Sequence, residues 1–273
     1  MTTRAGAALA AALLIASSTA ACGVPLMKLP TGIGAPTTDA GQALAQAVAP
    51  CRAVRNLSAE VAVSGRVGGR RMRGRLLAGV SSPASVYLDA PAPFGASVFI
   101  FAATGDDATL LLPRDRRVLE HGRPADVLEA VAGVALSPEE LRAALTGCTD
   151  EGDASGAEQR GEHWRMIPGP PTLYLRRERA SDPWRLVVVV HRQSGRPEWR
   201  AEYHDFSGDL PRTIRLTSTE PGRFDLRLGL SQVEINVPLD ATTFHPVIPQ
   251  GYSPMTLREV RDVGPLADPA SQR

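Results

Sequence analysis

From Leu57 onward the chain alternates apolar and polar residues, and this period of two returns between short turns for most of its length. Leu57, Ala59, Val61 and Val63 fall on one side, Gly68-Gly69 turns the chain, and Met72, Leu76 and Ala78 resume the pattern. Alternation of this kind places one face of a strand toward a core and the other toward water. Val86, Leu88 and Ala90 continue it against Tyr87 and Asp89, followed by apolar runs at 98–103 and 109–112. Strand patterns then recur at 164–167, 172–176, 184–191, 198–206, 212–217 and 224–230, with turn signals such as Ser194-Gly195 and Gly208-Asp209 between some of them. The spacing predicts about six strands before residue 123 and six after residue 160. Turn-length connections make the sheet antiparallel rather than a parallel α/β sheet, and a sheet of that size curls.

Two short helices interrupt the strands. Ser137-Pro138-Glu139-Glu140 is a capping box with proline at the first helical position, and Leu141, Ala144 and Leu145 form one apolar face. Residues 39–57 read as a further helix, with Leu44, Val48, Cys51 and Val54 three or four apart and Pro50 as a break or kink. With so few helices, their place is the concave face of the curled sheet. Pro91, Pro93 and Gly95 cannot continue a ladder, so Phe94 sits on a stiff turn, either folded inward or offered to something apolar.

The 273 residues carry a net charge of +1, and Lys28 is the lone lysine beside many arginines. That balance argues against a nucleic-acid partner. Arg70, Arg71, Arg73 and Arg75 cluster on one strand, either as a solvated face or as a patch for anionic headgroups or a partner. Catalytic chemistry is not visible. His121, His163, His191, His204 and His245 have no metal-ligand spacing, no serine is framed as a nucleophile elbow, and no CxxC occurs. The expectation is therefore no enzyme, no catalytic residue, no metal and no cofactor, with a hydrolase a distant alternative.

The N-terminus carries Arg4, an apolar run at 7–16 and then Thr19-Ala20-Ala21-Cys22-Gly23. The run is short for a membrane span and fits a signal peptide. The small residues before Cys22 resemble the lipobox of bacterial lipoproteins, with Thr19 where that motif prefers leucine. The resemblance implies cleavage before Cys22 and acylation of that residue, and Gly23 implies an outer-membrane address. An ordinary signal peptide with a chance cysteine is the alternative. Residues 22–38, with Pro25, Pro30, Gly32, Gly34 and Pro36, read as a flexible tether. With Cys22 assigned to lipid, Cys51 and Cys148 are left as an even pair in an oxidising compartment, either bridged or present as two buried thiols.

The order of motifs resembles the LolA/LolB-like lipoprotein carriers, LolB being an outer-membrane lipoprotein receptor. The resemblance rests on Tyr87-Leu88 with Pro93-Phe94-Gly95 and Leu110-Leu111-Leu112, and on Val134-Ala135-Leu136-Ser137-Pro138-Glu139-Glu140-Leu141. Trp199-Arg200-Ala201-Glu202-Tyr203, the run from Leu210 to Leu216, and the tail Pro238-Leu239-Asp240 to Phe244 with Pro249-Gln250-Gly251-Tyr252 extend it. It implies a mainly β (α+β) fold: an incomplete antiparallel β-barrel of about 11–12 strands, with helices plugging the concave face around an apolar cavity for acyl chains. The expected lining is Val86, Leu88, Val98, Ile100, Leu110, Leu112, Trp164, Leu186, Val188, Trp199, Tyr203, Ile214 and Leu216. For each of them, closed core packing is the alternative. Phe94 matches the projecting loop leucine of LolB, which implies a role in membrane insertion.

The division expected is a signal peptide at 1–21, the tether at 22–38, a half-barrel domain at 39–260 and a disordered tail at 261–273. The expected function is a lipid-anchored protein on the periplasmic face of the outer membrane. It would accept an acylated lipoprotein or lipid, with a periplasmic LolA-type carrier as a further partner. A structural envelope lipoprotein with a filled half-barrel and no cargo is the alternative.

Overall fold

The computed structural model describes residues 25–149, 153–192 and 198–263. A two-residue strand β1 (Ala35–Pro36) and helix α1 (Ala40–Arg52) come first. Then follow β2 (Asn56–Val67), β3 (Arg70–Ser81), β4 (Ser85–Ala90), β5 (Phe99–Thr104), β6 (Asp107–Leu112) and β7 (Arg117–Gly122). Helices α2 (Pro124–Ala132) and α3 (Pro138–Thr146) separate these from β8 (Glu158–Gln159), β9 (Trp164–Ile167), β10 (Thr172–Arg176) and β11 (Arg185–His191). The last of the described elements are β12 (Trp199–His204), β13 (Thr213–Ser218), β14 (Phe224–Ile235), a 3₁₀ turn (Ala241–Phe244), β15 (Ser253–Pro254) and α4 (Leu257–Val263).

All fifteen strands form one sheet in the order β1-β8-β9-β10-β11-β12-β13-β14-β2-β3-β4-β5-β6-β7-β15. Its edge strands β1 and β15 do not pair with each other, so the barrel is incomplete. Twelve strands have four or more residues, six on each side of the α2–α3 insert, as the alternation predicts; the other three are two-residue pieces. Every pair is antiparallel except β15, which lies parallel to β7. The two halves join where β14 pairs with β2, from Phe224 opposite Val67 to Ile235 opposite Leu57. The β2–β3 hairpin turns on Gly68 and Gly69, both at positive φ (56° and 77°), the backbone that a two-residue hairpin with right-handed twist needs.

The concave face is covered by α1, α2 and α3. Helix α3 starts where the capping box places it: Ser137 accepts from the Glu140 N–H (3.1 Å), and Glu140 accepts from the Ser137 N–H (2.7 Å). Leu141, Ala144 and Leu145 face the sheet, and Gly147 at φ 66° ends the helix. Helix α1 is shorter than residues 39–57. Pro50 lies in its last turn, the Ala53 N–H closes back on the Pro50 carbonyl at 3.3 Å, and Leu57 is a strand residue opposite Val80.

A segment near each end of the described residues crosses the convex face, which corrects two expected boundaries. The tether expected at 22–38 is held to the sheet from Met27 on. The Met27 N–H donates to both Glu202 oxygens (3.2 and 3.0 Å), and Arg160 donates to the Pro30 and Gly32 carbonyls (3.3 and 2.9 Å). Met27 and Leu29 pack with Val187, Val188, Val190, Trp164, Tyr174 and Phe206 in a second apolar cluster on that face. At the other end, residues 236–252 run from β14 across to β7. Helix α4 then closes on α2 with Val260 and Met255 in the main core, so the domain continues past residue 260. The remainder of the tail expected at 261–273, and Cys22 itself, lie outside the described residues.

Candidate acyl-binding layer and its rim

Strand directions give the half-barrel two distinct ends. The β4–β5 loop, the β6–β7 turn, the β2–β3 turn and the α2–α3 connection share one end, the rim; Arg114 Nε donating to the Ala96 carbonyl (3.3 Å) ties two of them together. The β3–β4 turn, the β12–β13 loop and the C-termini of α1 and α3 share the other end, the floor. Cys51 and Cys148 are bridged at the floor, with Cα atoms 5.4 Å apart and a sequence separation of 97. The bridge staples the end of α1 to the end of α3. No such link exists at the rim among the described residues. There, besides the apolar packing of Val127, Leu128 and Val131 and the contact with α4, α2 is held by a half-buried Arg223–Glu129 pair (2.9 Å) and by Gly133 lying against Val67.

Between sheet and helices lies one continuous apolar layer. Ten of the thirteen expected lining residues belong to it: Val86, Leu88, Leu110, Leu112, Leu186, Trp199, Tyr203, Ile214 and Leu216 in full, and Val98 packed at its margin. They meet α1 through Leu44 and Val48, α2 through Val127, Leu128 and Val131, and α3 through Leu141 and Leu145. The other three are corrected to the convex face. Val188 and Trp164 pack beneath the N-terminal strap. Ile100 pairs with Leu111 beneath the C-terminal strap. A bulge between Tyr174 and Leu175 shifts the register opposite β11, so that Val187 and Val188 both belong to the convex cluster.

Phe94 projects from the rim with 91% of its surface exposed, next to Gly95 at φ 80°. Val247, 84% exposed, stands on the C-terminal strap. Val247 and the two residues after Gly95, Ala96 and Ser97, line an open cavity of about 650 Å³ between the strap and the convex side of β4–β6, together with Tyr87, Ile100, Leu111 and Tyr252. A smaller hollow of about 180 Å³ lies between α1 and β11, lined by Gln46, Pro50, Cys51, Trp184 and Phe206. The alternation of the strands carries no signal for either cavity, because each depends on which segment folds over the sheet.

Several titratable groups are tied into the packing. Arg165 is buried on the concave side and donates to both Asp39 oxygens (2.6 and 2.7 Å) while stacking over Trp184 at 4.6 Å. The Arg165 hydrogen bonds hold the Asp39 carboxyl down at about 2. His191 stacks on Trp199 with ring centres 3.8 Å apart, and burial lowers its pKa to about 4, which keeps it neutral. His204 Nε2 faces Glu202 Oε2 at 3.2 Å. Burial alone would raise the Glu202 carboxyl, but the bonds from His204 and from the Met27 N–H, together with the Arg200 charge, outweigh it and lower its pKa. Among the described residues no three His, Cys, Asp or Glu side chains are grouped to hold a metal ion.

No family model and no curated protein sequence matches this chain. Solved structures do. A LolA superfamily protein from Nitrosomonas europaea superposes with a TM-score of 0.54 at 13% identity, over 78% of this chain and 98% of that one. A DUF1329 family protein from Desulfovibrio piger gives 0.47 at 13% identity, over 76% and 96%. A candidate outer-membrane lipoprotein-sorting protein domain from Vibrio parahaemolyticus gives 0.46 at 14%, over 75% and 94%. At these identities the likeness is one of fold, and the first superposition alone is close enough to carry it. An open antiparallel sheet with a helical roof on its concave face is the fold that this chain shares with that LolA superfamily protein.

Proposed function

We propose that this protein is a lipid-anchored envelope protein that holds the acyl chain of a lipid or lipoprotein between its concave sheet and its helical roof. It acts by binding rather than by catalysis, and it delivers its cargo at the periplasmic face of the outer membrane, with a LolA-type carrier as donor. Cys22 is the anchor in this reading. Removing an acyl chain of about sixteen carbons from water is worth on the order of 10 kcal/mol, so a carrier must enclose it. The observation that supports the reading is the asymmetry of the roof. The apolar layer is stapled covalently at the floor by Cys51–Cys148, whereas at the rim only non-covalent contacts hold it: apolar packing, one half-buried ion pair and one close contact. A pair still in contact with water contributes only about 1 kcal/mol, far less than a covalent staple, so the rim is the end at which the roof parts from the sheet. Phe94 stands at that end.

A second reading is a scaffold whose half-barrel is permanently filled. It is favoured by the full burial of Val86, Leu110, Leu173, Leu175 and Ile214, each at 0% exposure. One experiment separates the two. A Cys22→Ala form is purified from the envelope fraction, its extract is read by lipid mass spectrometry, and binding of a fluorescent fatty acid is titrated. A carrier yields co-purified acyl lipid or saturable binding of the probe. A folded protein that yields neither is the scaffold.

A further inference from the structure

The convex face of the central strands carries its polar residues in register. Across the sheet from β12, Glu202 faces Arg215, Arg215 faces Arg227, Arg227 faces Ser64 and Ser64 faces Arg73. The next row toward the rim runs Arg200, Thr217, Asp225, Arg66 and Arg71. All of these face outward, because the alternating positions Leu216, Leu226, Leu228 and Val63 belong to the core. Strand spacing and rise place the backbones of Arg66, Arg71, Arg73 and Arg227 within about 12 Å of one another.

These four arginines are exposed, and none has a side-chain hydrogen bond or ion pair with any described residue. The nearby acids are already committed. Asp225 takes two nitrogens of Arg215 (2.9 and 2.8 Å), Glu202 takes Arg200 (2.7 Å) and Glu60 takes Arg75 (2.9 Å). Arg66 and Arg71 are direct cross-strand partners, and like charges placed so are destabilising. Ser64, Ala62 and Gly229 between and beside them carry little side chain, which leaves a flat ledge. The ledge ends at the Gly68–Gly69 turn, on the same end of the sheet as Phe94.

The N-terminal strap arrives beside this ledge. Met27 is pinned to Glu202, two strands from Arg227. Four residues lie between Cys22 and Met27, and the five steps of chain span at most ~18 Å.

We propose that this ledge rests on an anionic phospholipid surface, with Arg66, Arg71, Arg73 and Arg227 facing the headgroup phosphates. The short leash from Cys22 keeps the ledge at the bilayer and rests on the acylation proposed above; the charge complementarity does not. A flat array of guanidinium groups suits a plane of phosphates, which each can bind as a fork. Such attraction acts within a Debye length of about 8 Å, and a leash of at most ~18 Å keeps the ledge near enough to the bilayer to enter that range.

The test uses the Cys22→Ala form, which has no anchor, and sedimentation with phosphatidylcholine vesicles with or without phosphatidylglycerol. Binding is expected to the anionic vesicles alone and to fall as salt is raised. Arg66→Gln and Arg73→Gln each weaken it on the order of five-fold, Arg71→Lys retains it, and Arg52→Gln at the floor leaves it unchanged. Melting of Arg66→Gln is expected to match or exceed that of the parent. Equal binding to both vesicle types, no binding, or arginine variants that bind like the parent would overturn the proposal, as would an acidic protein that needs the same arginines while vesicles do not bind. Acyl lipid co-purified with the same variants reports on cargo separately, so loss of vesicle binding with cargo retained leaves the carrier reading intact.

Discussion

Gly133 and Val67 meet so closely at the rim that a methyl group on the glycine would stand 2.1 Å from the valine Cγ1. Gly133 also ends α2 at φ 71°, a left-handed conformation that costs a non-glycine residue roughly 1–2 kcal/mol. Gly133→Ala is expected to lower stability by about 2 kcal/mol or more, a fall in melting temperature of about 4–8 °C for a domain of this size. Gly133→Ala combined with Val67→Ala removes the overlap and keeps the backbone cost, so the double variant should lose less than the two single losses added. Strict additivity in thermal unfolding would show that the two residues do not meet.

The floor staple gives a second prediction. Cys51–Cys148 closes a loop of 97 residues, for which chain entropy allows about 4–5 kcal/mol. Cys51→Ser with Cys148→Ser is expected to lose a large part of this in urea unfolding. The parent under reducing conditions should move to the same midpoint, while the double variant is indifferent to reductant. A parent that alkylates fully at both cysteines when denatured without reductant has no bridge, and the prediction fails.

Much of the fold is legible in the alternation, and the errors have a common cause. Ser137 to Glu140 announces α3, and the strands at 164–167 and 172–176 end where their apolar patterns end. Residue 57 was ambiguous because Leu57 lies three positions from Val54, as a helix requires, and two from Ala59, as a strand requires; pairing with Val80 decides for the strand. Ile100, Trp164 and Val188 were assigned to the wrong face for one physical reason. The N- and C-terminal straps cover the convex side of β9–β11 and β4–β6, so apolar residues occupy both faces there and parity loses its meaning. The straps themselves carry prolines and glycines without a period, which reads as a free linker. Their hold comes from single side chains, Glu202 and Arg160 among them, whose partners are distant in sequence.

The Asp39–Arg165 pair sets a pH dependence. The Arg165 hydrogen bonds lower the Asp39 pKa from 3.8 to about 2. A carboxyl depressed in the fold stabilises it fully above the unfolded value, and that contribution is lost as pH falls through the interval from 3.8 to about 2. Asp39→Asn is therefore expected to be less stable than the parent at neutral pH, with the gap closing as the solution is acidified through that interval. Hydrogen bonds to charged groups contribute about 1.5–3 kcal/mol. The lower end applies here, because Asp39 is half exposed and screened by water. Urea midpoints for both proteins at neutral pH and near pH 2 provide the check; a constant gap would mean that the carboxylate charge is not what holds Arg165.

Phe94 gives the last prediction. Its 91% exposure removes the choice that sequence reading left open, since an inward-packed ring would be covered. A phenylalanine in water forgoes about 1.5–3 kcal/mol of burial, and this one sits on a loop stiffened by Pro91 and Pro93, at the end where α2 is weakly held. Contact with a bilayer would recover that burial and bring the rim against lipid, shortening the path on which an acyl chain meets water. Phe94→Glu touches no packed neighbour, so its stability should stay within about 0.5 kcal/mol of the parent. Transfer of a labelled lipoprotein to liposomes should fall several-fold, while the amount of bound acyl lipid is unchanged. Phe94→Leu keeps an apolar wedge and should retain transfer. A drop in melting temperature with Phe94→Glu would place the ring in the core. Unchanged melting together with unchanged transfer would remove Phe94 from the delivery step and leave the opening of the rim to Val67 and Gly133.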